Sequence, residues 1–221
     1  MGLEILAGRI VAPQFGSSIY TWGSIIAVFL AALSLGYYLG GRRAASRATT
    51  ERLTWLLLGT AAYVALLVFA SDLLLAAAAT IPLPARFASL PAVTLLFGPP
   101  TYLLGFVSPY AAELSGKEGP GEASGHVYAL GTVGSIVGAF ATTFFLVPAL
   151  DIEQIGLGFG LLLVGTALWL AAPAARRQPV YATLGVALLL LAAAGGGSVG
   201  FSAHGEVVYH TQTPYQELEV A

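Results

Sequence analysis

LTWLLLGTAAYVALLVFASDLLL, residues 53–75, carries a single charged side chain, Asp72. About 20 mostly apolar helical residues cross the roughly 30 Å hydrocarbon core of a bilayer, and this stretch is long enough to do so. Similar stretches occupy 19–40, 90–114, 127–150, 155–172 and 180–194, and the run at 53 extends to 79. In lipid a backbone must satisfy its own amides, which a helix does internally. The reading is therefore an all-α integral membrane helical bundle with six clear spans, multi-pass in the cell membrane, with the lipid bilayer as its solvent. Residues 1–13 are apolar but too short to cross. They lack a basic n-region and are interrupted by Glu4 and Arg9, so they are no signal peptide. They read as an interfacial or re-entrant piece or, preferably, as a helix whose start precedes Met1.

Composition agrees. Apolar residues make up 57% of the 221 and charged ones 9%, with mean hydropathy +0.82, whereas soluble domains carry about a quarter charged residues. A net charge of −2 offers no basic face for nucleic acid. The absence of cysteine excludes disulfides, thiolate chemistry and zinc-finger-like sites. Gly195, Gly197 and Gly200 match G-x-G-x-x-G by letter, but no strand precedes them and no helix follows, so a dinucleotide site is rejected. His204 and His210 have no acidic or cysteine ligands at metal spacing and read as surface histidines. Neither a catalytic constellation, a cofactor nor a metal is expected in this chain.

Positive charge marks cytoplasmic loops. Arg42, Arg43, Arg47 and Arg52 lie in one connection, Arg176 and Arg177 in another, and four spans separate them, so both fit the cytoplasmic side. Tyr20 and Trp22 then sit at the outer interface. The 180–194 span runs outward and leaves the polar tail outside. That tail changes in composition: after the Gly195–Gly197 hinge, residues 206–211 and 215–220 read as two strands around Thr213-Pro214. Residues 1–197 are thus assigned to a transmembrane domain, and 198–221 to the start of a soluble domain.

Within the spans, polar groups and breaks carry the information. Small residues recur four apart: Gly36 with Gly40, Gly131 with Ser135, Gly134 with Gly138, and Gly156 with Gly160. Such faces let helices approach closely in lipid, and tight packing is the leading reading over a substrate path along Gly131–Gly138. Pro99 and Pro100 fall near the middle of their span, with Pro109 beyond. A kink or break is expected there, and the freed carbonyls need a neighbour, water or a ligand. Glu4 and Arg9 are costly charges that pair or face a cavity. On a helix they stand about 140° apart, so each is expected to meet a partner elsewhere. Glu4, Arg9, Pro99 and Pro100 are the substrate-site candidates, and a carboxylate in a low-dielectric site favours a cation.

Residues 3–22, LEILAGRIVAPQFGSSIYTW, followed by LGYYLGG at 35–41, resemble the membrane-bound spermidine-synthase-like proteins, the fused major-facilitator/spermidine synthases. YALGTVGSIVG at 128–138, closing in Leu146-Val-Pro148, is similar to a later signature of that family, and Thr213-Pro-Tyr-Gln216 to the first strands of its aminopropyltransferase domain. The resemblance covers nearly the whole chain. It implies a membrane module that anchors an aminopropyltransferase domain, or passes it a small organic cation such as a polyamine. The family's glycine-rich nucleotide loop and amine-activating acid are not in these residues, so no aminopropyl transfer is expected of this chain alone. An independent small-solute transporter or channel is the alternative.

Overall fold

The computed structural model describes residues 1–115, 119–175 and two short strands at 209–212 and 217–220. Helix α1 spans Gly2–Phe15 and ends at Gly16, whose φ of 74° lets the chain turn into α2, Ile19–Arg47. The Ser18 hydroxyl caps α2 by accepting from the Thr21 amide at 3.2 Å. After α2 the chain is extended at Ala48 and Thr49, and the Thr49 side chain accepts from the Arg52 amide to start α3, Thr50–Ala79. Two capping residues thus replace a loop. Their shortness draws the four arginines of this connection together.

A 3-10 turn at Ala85–Phe87 leads into α4, Leu90–Gly105, and α5, Val107–Ser115. Next come α6 (Pro120–Ala141), a π-helical segment (Thr142–Leu146), the short α7 (Val147–Ala149) and, past an extended Leu150, α8 (Ile152–Ala175). Among the described residues five helical stretches are long and apolar enough to cross a membrane: Ile19–Arg47, Thr50–Ala79, Ala85–Ser115, Gly121–Ala149 and Ile152–Ala171. The sixth expected span, 180–194, and the Gly195–Gly197 hinge lie outside the described residues. At 14 residues, α1 is about 21 Å long and does not reach across. The strands β1, Tyr209–Gln212, and β2, Glu217–Val220, pair antiparallel with Tyr209 opposite Val220.

Two separate apolar clusters hold the helices together. One lies at the end where α1 enters, and includes Leu6, Ile25, Leu75, Val93, Phe97 and Ile155. Phe29 stacks on Phe97 there at 5.8 Å between ring centroids. The other lies at the end carrying the α2–α3 arginines, and includes Ala44, Leu57, Phe106, Tyr110, Val164 and Ala171. Ala44 and Ala171 share this cluster, so the end of α8 lies beside the α2–α3 turn. In contrast, α6 leaves Leu130, Ile136, Val137 and Phe140 exposed.

Candidate functional site

The proline pair does not break α4. The helix runs through Pro99 and Pro100, and the irregular residue is Phe106. Each proline removes an amide from the carbonyl four residues back. For Pro99 that carbonyl belongs to Leu95, and the Tyr63 hydroxyl of α3 donates to it at 2.6 Å. A neighbouring helix thus replaces the missing bond, one of the ways lipid-embedded helices tolerate proline. The actual interruption follows from Pro109, which denies a donor to Gly105 and crowds that turn. The Phe106 amide bonds instead to Leu103 at 3.1 Å, in a tighter turn. The expected break is therefore displaced by about two turns toward the arginine end.

Glu4 and Arg9 are both half-buried on α1. Glu4 shares a face with the buried Gly8 and Val11, and Gly8 lies so close against Trp22 that an added Cβ would stand 2.6 Å from the indole ring. Arg9, on the opposite side, is engaged by a neighbour. The carbonyl freed by Pro99 accepts from Tyr63. Of the four sequence candidates, two thus stand on α1 and two on α4.

Most buried hydroxyls are satisfied within the bundle. Thr54 and Thr60 donate to Thr50 and Leu56 carbonyls one turn back, and Ser89 at the start of α4 bonds Ser24 of α2 at 3.1 Å. Among the described residues two hydroxyl oxygens are buried without a partner: Thr101 Oγ1, one residue past the proline pair, and Thr142 Oγ1, at the start of the π-helical segment beside Gly2.

The small residues divide sharply. A Cβ on Gly36 would strike the Tyr102 carbonyl oxygen and stand 2.8 Å from the Gly105 Cα, and one on Gly40 would stand 3.0 Å from the Phe106 Cα. These two glycines let α2 lie against α4 and the α4–α5 junction, and Gly105, unmarked in the sequence, completes the contact. A Cβ on Gly156 would instead meet a side chain, standing 2.7 Å from the Val68 Cγ2. The packing expected of Gly131 with Ser135 and of Gly134 with Gly138 is not formed among the described residues. A Cβ at 131, 134 or 138 would meet nothing within 4 Å.

Sequence reasoning used the α2–α3 arginines only as a topological signal, yet they line a cavity of about 660 Å³. Arg42, Arg43, Arg47 and Arg52 contribute its charge, and no carboxylate lines it. Trp55, Leu56, Leu103, Phe106 and Tyr110 form apolar and aromatic walls, with Ser46 and Gly59 completing it. The Arg43 guanidinium lies over the Phe106 ring at 5.5 Å and that of Arg42 over Tyr38 at 5.7 Å. Arg52 donates to the Arg47 carbonyl at 2.9 Å. Among the described residues no three metal-ligating side chains cluster. Set against family models, curated proteins and solved structures, the chain matches none.

Proposed function

We propose that this chain is the multi-pass membrane module of a spermidine-synthase-like protein, and that it anchors an aminopropyltransferase domain rather than conducting the amine. The link to that family rests on the residues at 3–22, 35–41, 128–138 and 213–216. The preference for anchoring rests on one observation: the cavity at the arginine end presents four guanidinium groups and no carboxylate. Like charges in a partly desolvated site repel, so a polyamine is turned away from that mouth. Of the two carbonyls freed by the proline pair, that of Leu95 already accepts from Tyr63.

The second reading, passage of a small cation, is favoured by the half-buried Glu4 and by the unpartnered hydroxyls of Thr101 and Thr142. Uptake of labelled putrescine by proteoliposomes of the purified chain separates the two. Anchoring predicts uptake equal to that of empty vesicles. Saturable uptake that Glu4→Gln abolishes, while the protein keeps its thermal stability, would establish transport instead. The family link has its own test in membranes from the native cells. Release of the nucleoside thioether from a decarboxylated nucleotide donor, dependent on added putrescine and lost on deleting this gene, is the expected result; unchanged release after the deletion would refute it.

A further inference from the structure

Arginines that merely mark one side of a membrane stand in water, each solvated by itself. Here four converge on one cavity of about 660 Å³ between the end of α2, the start of α3 and the α4–α5 junction. Among the described residues they meet aromatic rings, the Tyr38 hydroxyl and a backbone carbonyl, and no carboxylate. Glu51, adjacent to Arg52 in sequence, is not among the lining residues. The charge is therefore uncompensated within the cavity, and an anion is the ligand class it suits.

The cavity is also graded along the bundle. Arg42, Arg43 and Arg47 end α2 and Arg52 begins α3, whereas Leu56 and Gly59 lie one and two turns further along α3, toward the middle of the span. Leu103 of α4 joins them. A free phosphate would use only the charged mouth. A ligand with phosphate at one end and hydrocarbon at the other matches both parts. Basic pockets between membrane helices on the cytoplasmic side are suited to anionic lipid headgroups, and guanidinium groups pair with phosphate through paired N–H donors.

We propose that this cavity binds an anionic phospholipid, its phosphate held by Arg42, Arg43, Arg47 and Arg52 and its chain laid along Leu56, Gly59 and Leu103. The assignment rests on the helices crossing a bilayer, but not on the polyamine link. A negative putrescine experiment therefore leaves it standing.

Trp55 in the cavity wall supplies the readout. The chain has three tryptophans, so Trp22→Phe with Trp169→Phe isolates Trp55. In reconstituted vesicles, phosphatidylglycerol with brominated chains should quench Trp55 at far lower mole fraction than brominated phosphatidylcholine. Each arginine near a membrane surface contributes about a five-fold preference for anionic lipid. Arg43→Gln with Arg52→Gln should thus raise the half-quenching fraction roughly 25-fold, while the Lys versions of both retain most of the preference. Arg42→Gln with Arg47→Gln repeats the test if the first pair impairs folding. Equal quenching by the two lipids, or an unchanged preference in both Gln pairs, would overturn the proposal. Displacement of the lipid by millimolar inorganic phosphate or glycerophosphate would overturn it in favour of a soluble anion.

Discussion

Tyr63 and Pro99 form one unit at the scale of single residues. The tyrosine supplies the donor that the proline takes away, at 2.6 Å from the Leu95 carbonyl. Hydrogen bonds between membrane helices average about 0.6 kcal/mol and reach about 1.7. Tyr63→Phe should cost about 1 kcal/mol by unfolding in detergent. In a Pro99→Ala background residue 99 has its own amide to offer Leu95, so the same change should cost clearly less; equal costs in the two backgrounds would mean that the hydroxyl and the proline are unrelated. This pairing was not legible in the sequence. A tyrosine inside the apolar run 53–75 gives no periodic signal, and its partner lies 32 positions away on another helix. The position of the irregular turn, by contrast, was written in Pro109, overshadowed in the sequence by the more conspicuous Pro99-Pro100. Pro99 is accommodated because a neighbouring helix answers the Leu95 carbonyl, whereas at Phe106 the backbone itself tightens, its amide turning to Leu103.

Between elements, the contact of α2 with α4 depends on what is missing from Gly36. An added methyl there would meet backbone on the facing helix, 2.8 Å from the Gly105 Cα, and backbone cannot rotate aside as a side chain can. Gly36→Ala should therefore lower stability by about 1–3 kcal/mol through overpacking. Gly134→Ala, with nothing within 4 Å among the described residues, should be neutral or gain up to about 1 kcal/mol of helix propensity. Thermal unfolding of both variants side by side in one detergent checks this, and equal destabilisation would place a further packed surface on α6. Spacing alone made the two glycine patterns look equivalent. What separates them is which face each helix turns toward its neighbours, and that is set by the whole arrangement rather than by a four-residue repeat. The long helices themselves were legible at 19, 53, 90, 127 and 155, because length and apolarity are what a bilayer demands of them.

For the molecule as a whole, the arginine-bearing turn sets the expected direction. The turn between α2 and α3 and the end of α8 lie at one end, and the turn between α1 and α2 at the other. In this cysteine-free chain, Ala45→Cys should react with an impermeant maleimide only after permeabilisation, whereas Ser17→Cys should react in intact cells. Ser202→Cys, in the tail outside the described residues, should behave like Ser17 if 180–194 crosses; labelling like Ala45 would return the tail to the cytoplasm. The arginine cavity was illegible at this scale for a different reason: its charges are local in sequence, but Leu103, Phe106 and Tyr110 arrive from some 50 positions later. The two apolar clusters, finally, share no residue. A bundle held at both ends by separate cores need not open all at once, and stability in such proteins is apportioned among cooperative units. Amide deuterium uptake in detergent should accordingly resolve two protection levels along α3, one for the turns around Leu57 and another for those around Leu75. Loosening one core, as by Phe106→Ala, should speed exchange at the first and leave the second slow, so that the protein breathes at one mouth while the other stays shut.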